Sequence, residues 1–516
     1  MAGMFFMAAG VRYVVSLLPV AKALELRRSA ARAVSRAATR AMPHSAAKRA
    51  APAPAKRQAA QPEFDLAKLQ GTIRGSKLLA SRVSDPGKLA VAESVPAAAR
   101  PARAGATPPE APRTTIHAIA LATETVIAEG AHRADLTAAR NQLGARVIDE
   151  SLDGKALLRV DSVEKAFRLV ALLLSRQVAA APNFLRRMAR RPQGAGGEGW
   201  ALDKIGVPAA WKITRGIPDI RIAILDEGVD GKHRALRQAL VAERDFIGTN
   251  GASAAPAGDD AHGTACAGIA VSREEDFPGV APGCSLIAAR IGMGDGSGGW
   301  VLDDYQTADA IDWCWRQGAD VLSNSWALGA PSDPVARAFG RARTQGRNGK
   351  GAVVAIAAGN QGQAISFPGN LPGFFTVGAS NQADQRKTTT SSDGERNWGS
   401  NAGPTLLVLA PGVSICTTDI GGAAGYDPGD FTRTFNGTSA ATPHVAGAAA
   451  LMLSVNPALG AHEVRSLLGE TAKALAGQKG WTAELGHGRL DVARAVAAAR
   501  AHGAVAGARK GGGGPA

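Results

Sequence analysis

Between residues 200 and 502, short apolar runs alternate with helical segments, and this pattern restricts the fold more than any other feature. RIAIL, SLIAARI, ADVLSNS, GAVVAIAA, FFTVGA and LLVLAPG are each brief and almost wholly apolar. A strand with one wet face alternates polar and apolar residues, whereas a strand covered on both faces reads as a continuous apolar run. The segments GTACAGIA, DDYQTADAIDWCWRQ and DPVARAFGRART, and the stretch after Ser439, have helical character and lie between or after these runs. The expected fold class is therefore α/β: a mostly parallel central sheet flanked by helices. In such sheets the working site lies outside the carboxyl ends of the strands.

The chain has 516 residues, more than one domain usually holds. Its charge of +15 is unevenly spread. Residues 1–199 carry 31 basic and 15 acidic side chains, and the remainder 28 and 29. The large C-terminal part is thus neutral, which argues against a nucleic-acid partner. Residues 1–112 are expected to be a leader followed by a disordered Ala/Arg/Pro-rich segment. The first 23 residues are apolar but interrupted by Arg12, short of the roughly 18 apolar residues of a membrane span. They read equally as a weak secretion signal or as part of the leader. Residues 113–192 have the pattern of a small α+β unit, with Ser162 placed to cap a helix. A Gly-rich linker (193–199) follows, then the α/β domain (200–502) and a flexible tail (503–516). The four cysteines, Cys266, Cys284, Cys314 and Cys416, are widely spaced and suggest neither zinc ligation nor a disulfide framework.

Three motifs sit where such a sheet would place reactive groups. Asp226 ends the run RIAILDEG. His262 opens the small-residue segment HGTACAGIA. Ser439 lies in GTSAATPH, where Pro443 fits the first turn of a helix. Each alone has an ordinary structural explanation: a strand-ending turn, a structural histidine, a helix cap. Together, Asp–His–Ser is one of the chain orders in which a nucleophile, its base and an orienting carboxylate occur. A helix start also favours negative charge developing at Ser439.

D-x-G, H-G-T and G-T-S-x-A-T-P-H in this order resemble the subtilisin-like serine proteases (the subtilase family) across roughly residues 200–500. The resemblance implies a serine endopeptidase acting on protein or peptide substrates, with Asp226, His262 and Ser439 as catalytic triad and Asn360, in AAGNQG, as oxyanion-hole donor. It implies substrate-binding edges at Gly296, Ser297 and Gly298 and at Ser325, Trp326 and Ala327, with Ala358 and Gly359 along the S1 wall. It also implies that residues 113–192 are an inhibitory prodomain acting in cis, whose C-terminal strand occupies the cleft until a cut near residues 190–199. The enzyme would be a monomeric zymogen, and secretion or a periplasmic location would suit it.

The sequence departs from the family pattern in two places. Glu227 follows the catalytic Asp, and Asp259 and Asp260 precede the catalytic His, as acidic residues do in kexin-like members. They form either an acidic S2 pocket for Lys or Arg at P2 or ordinary surface carboxylates. No cofactor is expected, and structural calcium is not supported. The position matching the family's early calcium ligand is Ala235, and the cluster Glu274, Glu275 and Asp276 lies in a short loop. A peptide ligase and a catalytically dead binding scaffold are the competing functions.

Overall fold

The computed structural model describes residues 4–8, 11–19, 88–95, 115–151, 153–189, 199–247, 251–295 and 299–510. They form two compact units that meet between Arg186 and Arg187, six residues before the expected linker. Residues 190–198 lie outside the described residues, as do Gly296, Ser297 and Gly298. Among the described residues, no helix is long and apolar enough to cross a membrane.

The N-terminal unit holds β1 (Met4–Ala8), β2 (Val11–Pro19), β3 (Lys88–Val95), β4 (Thr115–Glu129), α1 (Arg133–Leu143), β5 (Arg146–Glu150), β6 (Lys155–Arg159), α2 (Val163–Ser175) and β7 (Ala179–Ala189). Strands β1, β2, β3, β4 and β7 pair in that order, β6 also joins β4, and β5 joins β6; each of these pairs is antiparallel. Ser162 caps α2 by accepting from the Lys165 N–H at 3.2 Å. Leu169, Val170 and Leu173 of α2 pack on Val126 and Ala128 of β4 and Leu158 of β6. Strands β1–β3 lie within the 1–112 stretch expected to be a leader and disordered segment. VRYVVSLLP has the β-branched and aromatic content of a strand, and its partner β3 lies about seventy residues further on.

The C-terminal unit begins with two short helices, α3 (Trp200–Lys204) and α4 (Val207–Trp211). Then come β8 (Arg221–Asp226), β9 (Leu240–Asp245), α5 (His262–Val271), β10 (Ser285–Arg290), the hairpin β11 (Met293–Gly294) and β12 (Gly299–Asp303), α6 (Asp304–Arg316), β13 (Val321–Asn324), α7 (Asp333–Gln345), β14 (Val353–Ala357), β15 (Phe375–Ser380) and β16 (Leu406–Pro411). A second hairpin, β17 (Ile415–Thr418) and β18 (Phe431–Phe435), leads into α8 (Thr438–Val455), α9 (Ala461–Thr471) and α10 (Val492–Lys510). Helix α10 runs into the expected tail, in keeping with the Ala-rich AHGAVAGARK.

Seven strands form one sheet in the order β16-β15-β14-β13-β8-β10-β9, every pair parallel. Six of them carry the apolar runs read from the sequence. The seventh, β9, is a half-exposed edge strand and lacks that signal. The apolar runs follow from a sheet covered on both faces. Ile222 and Ile224 of β8, Leu286 and Ala288 of β10, and Val353 and Ala355 of β14 join the core beneath α5, α8 and α10. Their neighbours Ala223, Leu225, Ile287, Ala289, Val354 and Ile356 join the core beneath α6 and α7. After β8 the chain builds β9 and β10 on one side and then crosses to β13 on the other, so β8 lies at the switch point of the sheet. The carboxyl end of β8 is therefore where a crevice opens.

Candidate active site

Asp226 is the last residue of β8, and His262 the first of α5. Gly263 lets these two elements approach. A Cβ on Gly263 would run into the Gly228 carbonyl oxygen and lie 2.8 Å from Asp226 Cβ. In the space so created, His262 Nδ1 donates to Asp226 Oδ1 at 2.8 Å. The same oxygen accepts the Glu227 N–H at 2.9 Å. Both side chains are buried, and the imidazole packs edge-on against Phe435 at 5.4 Å. Burial works against an imidazolium here, but the adjacent Asp226 carboxylate outweighs it and holds His262 well above its ordinary value of 6.5. His444 is its opposite. It is buried inside α8, its Nδ1 donates to the Ala440 carbonyl, and burial lowers it to about 4.

Ser439 sits in the first turn of α8, where Gly437 at φ 119° turns the chain into the helix. A Cβ on Gly437 would lie 3.3 Å from Asn360 Nδ2, so the amide and the helix start adjoin. Ser439 Oγ donates to the Ser325 carbonyl at 3.1 Å, and Ser325 Oγ donates to the Ser439 carbonyl at 3.0 Å. Ser439 thus rests against the residue that follows β13, and rotation about its Cα–Cβ bond redirects the hydroxyl. A bond between a nucleophile and its base commonly forms or tightens only when substrate is bound. Helices α5 and α8 pack in one core. Cys266, one turn after His262, places Sγ 3.9 Å from His262 Nδ1 and 3.7 Å from the Ser439 carbonyl oxygen. Burial pushes this thiol up, which keeps it protonated.

Asn360 is oriented by a residue that the sequence reading passed over. Its Oδ1 accepts from the Thr438 N–H at 2.8 Å and from Thr438 Oγ1 at 3.0 Å. Thr438 Oγ1 in turn accepts the Gly359 N–H at 3.1 Å. With Oδ1 committed to the helix start, Nδ2 is the Asn360 atom that can serve an anion.

The other sequence candidates divide. Ser325 is in the site, as its exchange with Ser439 shows. Trp326 is a core side chain: its indole donates to the Leu225 carbonyl and stacks on Phe339. Ala327 is half-buried. Ala358 packs its methyl among Ile365, Leu406 and Leu409, and Gly359 is held through its backbone. Any contact of these last two with a ligand is therefore through main chain. Of the three acidic residues, Asp259 alone is exposed. Glu227 and Asp260 are buried and engaged. Glu227 Oε1 accepts the His262 N–H at 2.9 Å, and Asp260 accepts from Arg290 at 3.2 Å and from the Gly294 N–H at 2.8 Å. Neither is a solvated surface carboxylate, and these oxygens hold the scaffold around His262. Arg290, Thr438 and Cys266 were missed. Signals for them existed: Arg290 is a charge ending an otherwise apolar strand, and Cys266 lies at i+4 from His262, on the same helix face.

Among the described residues, the one group of His, Cys, Asp and Glu ligand atoms within 4.8 Å of one another is Asp226, His262 and Cys266, which is the site itself. At the position expected to begin a calcium site, the Ala235 methyl is buried. Glu274 of the nearby loop pairs with Arg234 at 2.8 Å. The residues there do not fit a calcium ion. All four cysteines are free thiols.

A model of the subtilase family matches residues 218–488. The chain is 34% identical over 332 residues to a calcium-dependent protease of Nostoc sp., covering 56% of this chain and 48% of that one. It therefore spans about half the length of that relative. It is 32% identical over 297 residues to thermitase of Thermoactinomyces vulgaris, covering 57% of this chain and 94% of thermitase. The fold is similar to that of fervidolysin from Fervidobacterium pennivorans, a keratinolytic enzyme related to subtilisin. The TM-score is 0.58 at 21% identity, over 72% of this chain and 61% of fervidolysin.

Proposed function

The chain belongs to the subtilase family, and from that premise we propose that it is a serine endopeptidase made as a zymogen. Ser439 Oγ attacks the scissile carbonyl while His262 Nε2 takes the hydroxyl proton. Asp226 holds the imidazole through Nδ1 and stabilises the imidazolium. Asn360 Nδ2 and the Ser439 N–H stabilise the oxyanion. As the tetrahedral adduct collapses, the C–N bond breaks, His262 protonates the departing amine, and an acyl-enzyme remains. Water then attacks the ester with His262 again as base, which releases the acid and restores Ser439.

What supports this reading is that Asp226 bonds the His262 ring, that Cys266 touches both that ring and the Ser439 carbonyl, and that Asn360 bonds Thr438 beside Ser439. Substrates are proteins or peptides, bound in extended form. Residues 113–192 act in cis as folding aid and inhibitor and are removed by a cut near residues 190–199. The mature enzyme works as a monomer, and export from the cytoplasm suits an enzyme kept silent until release.

A fluorophosphonate probe and a casein assay test the reading on the purified chain, with N-terminal sequencing to locate the cut. Labelling at Ser439 with release of peptides is expected. Labelling without peptide release would favour a ligase. Absence of labelling after the N-terminal unit is removed would favour a binding scaffold.

A further inference from the structure

Helix α5 brings no cap of its own. Its N-cap residue, Ala261, has no side chain that can accept a hydrogen bond, and the first N–H groups of a helix have no partner within it. The His262 N–H is nevertheless satisfied, by Glu227 Oε1 at 2.9 Å, from the end of the neighbouring strand. Glu227 is fully buried and adjoins Asp226 in sequence. Two consecutive side chains at the end of β8 therefore grip one residue at two points: Asp226 at the ring and Glu227 at the backbone.

A third group closes the frame. Arg290 ends β10 and is the register partner of Asp226 across the sheet. Its Nε donates to the Glu227 carbonyl at 3.1 Å, one terminal nitrogen reaches Asp260 at 3.2 Å, and the other reaches Asp245 at 3.2 Å. Asp260 lies two residues before His262, so the guanidinium fastens both the strand that supplies Asp226 and the segment that delivers His262.

We propose that Glu227 is a positioning residue for the catalytic base, holding the His262 backbone while Asp226 holds its ring, with Arg290 locking the pair in place. The inference rests on the proteolytic reading above. It assigns to α5 orientation the carboxylate that the sequence pattern offered to an S2 pocket. The Asp226 bond holds the ring of His262, while Thr417 and Thr418 bond the Ala265 and Thr264 carbonyls further along α5. The Glu227 bond adds the fixed point at the His262 backbone itself, and small displacements of a base carry large rate costs.

The test compares the full chain with Glu227→Ala and Glu227→Gln. A small fluorophosphonate has no P2 side chain, so an S2 role would leave its inactivation rate unchanged. The proposal expects Glu227→Ala to slow inactivation about tenfold or more, with the loss of peptide hydrolysis in kcat rather than KM. Glu227→Gln, whose amide oxygen accepts the same N–H, recovers most of the rate. If Glu227→Ala does not fold, Glu227→Asp, one methylene too short for the contact, takes its place. Hydrogen exchange of the peptide containing His262 reads the bond without turnover, and it should be faster in the Ala variant than in the Gln variant. Equal exchange and equal inactivation rates would overturn the proposal. So would a loss confined to substrates with Lys at P2, which would return Glu227 to substrate recognition. Failure of the chain to label even after its N-terminal unit is removed would count against proteolysis itself, while the exchange data would still decide the role of Glu227.

Discussion

Gly263→Ala places one methyl group where the site has no room. The added Cβ would overlap the Gly228 carbonyl oxygen and stand 2.8 Å from Asp226 Cβ. Both obstacles are main chain or nearly so, and β8 is held between β10 and β13, so α5 must give way instead. Relief requires a shift of about 1 Å at the helix start, adjacent to His262, and misplacement on that scale costs about 10²-fold in rate. That is roughly 2.7 kcal/mol in the barrier, alongside about 1–3 kcal/mol of stability lost to overpacking. The assay is kcat/KM on a peptide amide, read with the thermal midpoint. Gly340→Ala in α7 is the matched control. A Cβ there meets nothing within 4 Å, so activity should hold while the helix gains up to about 1 kcal/mol. If Gly263→Ala keeps unaltered kcat/KM, the close approach of α5 to β8 is not what sets the Asp226–His262 geometry.

Three further outcomes follow from the site. Neutral His262 is the base and Asp226 raises its pKa, so activity is lost at low pH and gained as pH rises through a midpoint above 6.5; in Asp226→Asn the midpoint falls and kcat drops about 10⁴-fold, and an unmoved midpoint would contradict the coupling. Asn360→Ala should lower kcat about 10²–10³-fold, the loss known for the corresponding donor in subtilisin, and Thr438→Val should give a smaller loss by removing one of the two bonds that hold Asn360 Oδ1; activity equal to that of the unaltered chain in both would exclude the amide from the oxyanion site. Chelation with EDTA should leave the thermal midpoint unchanged, and a fall reversed by calcium would place an ion at a site other than the one beginning at Ala235.

Legibility differed by element for physical reasons. The six apolar strands were readable because burial on both faces forces unbroken apolar runs, and Asp226 was readable because it ends one of them. The edge strand β9 carries Glu243, Arg244 and Asp245 and looks like a loop until its partner β10 is known. Strand β2 has the hydropathy of a secretion signal, and its partner β3 lies too far along the chain for spacing to reveal the pairing. Glu227 was visible as an unusual acid, but sequence carries no direction. Its carboxylate turns toward the His262 backbone, which no spacing rule reveals. Thr438 was hidden by its neighbour, because one hydroxyl beside another at a helix start reads as redundancy.

The two cores of the sheet divide the labour of the molecule. His262 and Ser439 ride on α5 and α8, which share one core, whereas Phe339 and Trp326 anchor the opposite layer. Robustness can therefore drift on the α6–α7 side wherever Trp326, bonded to the Leu225 carbonyl beside Asp226, stays in place. The α5–α8 side has no such latitude: there a packing change is also a change in chemistry.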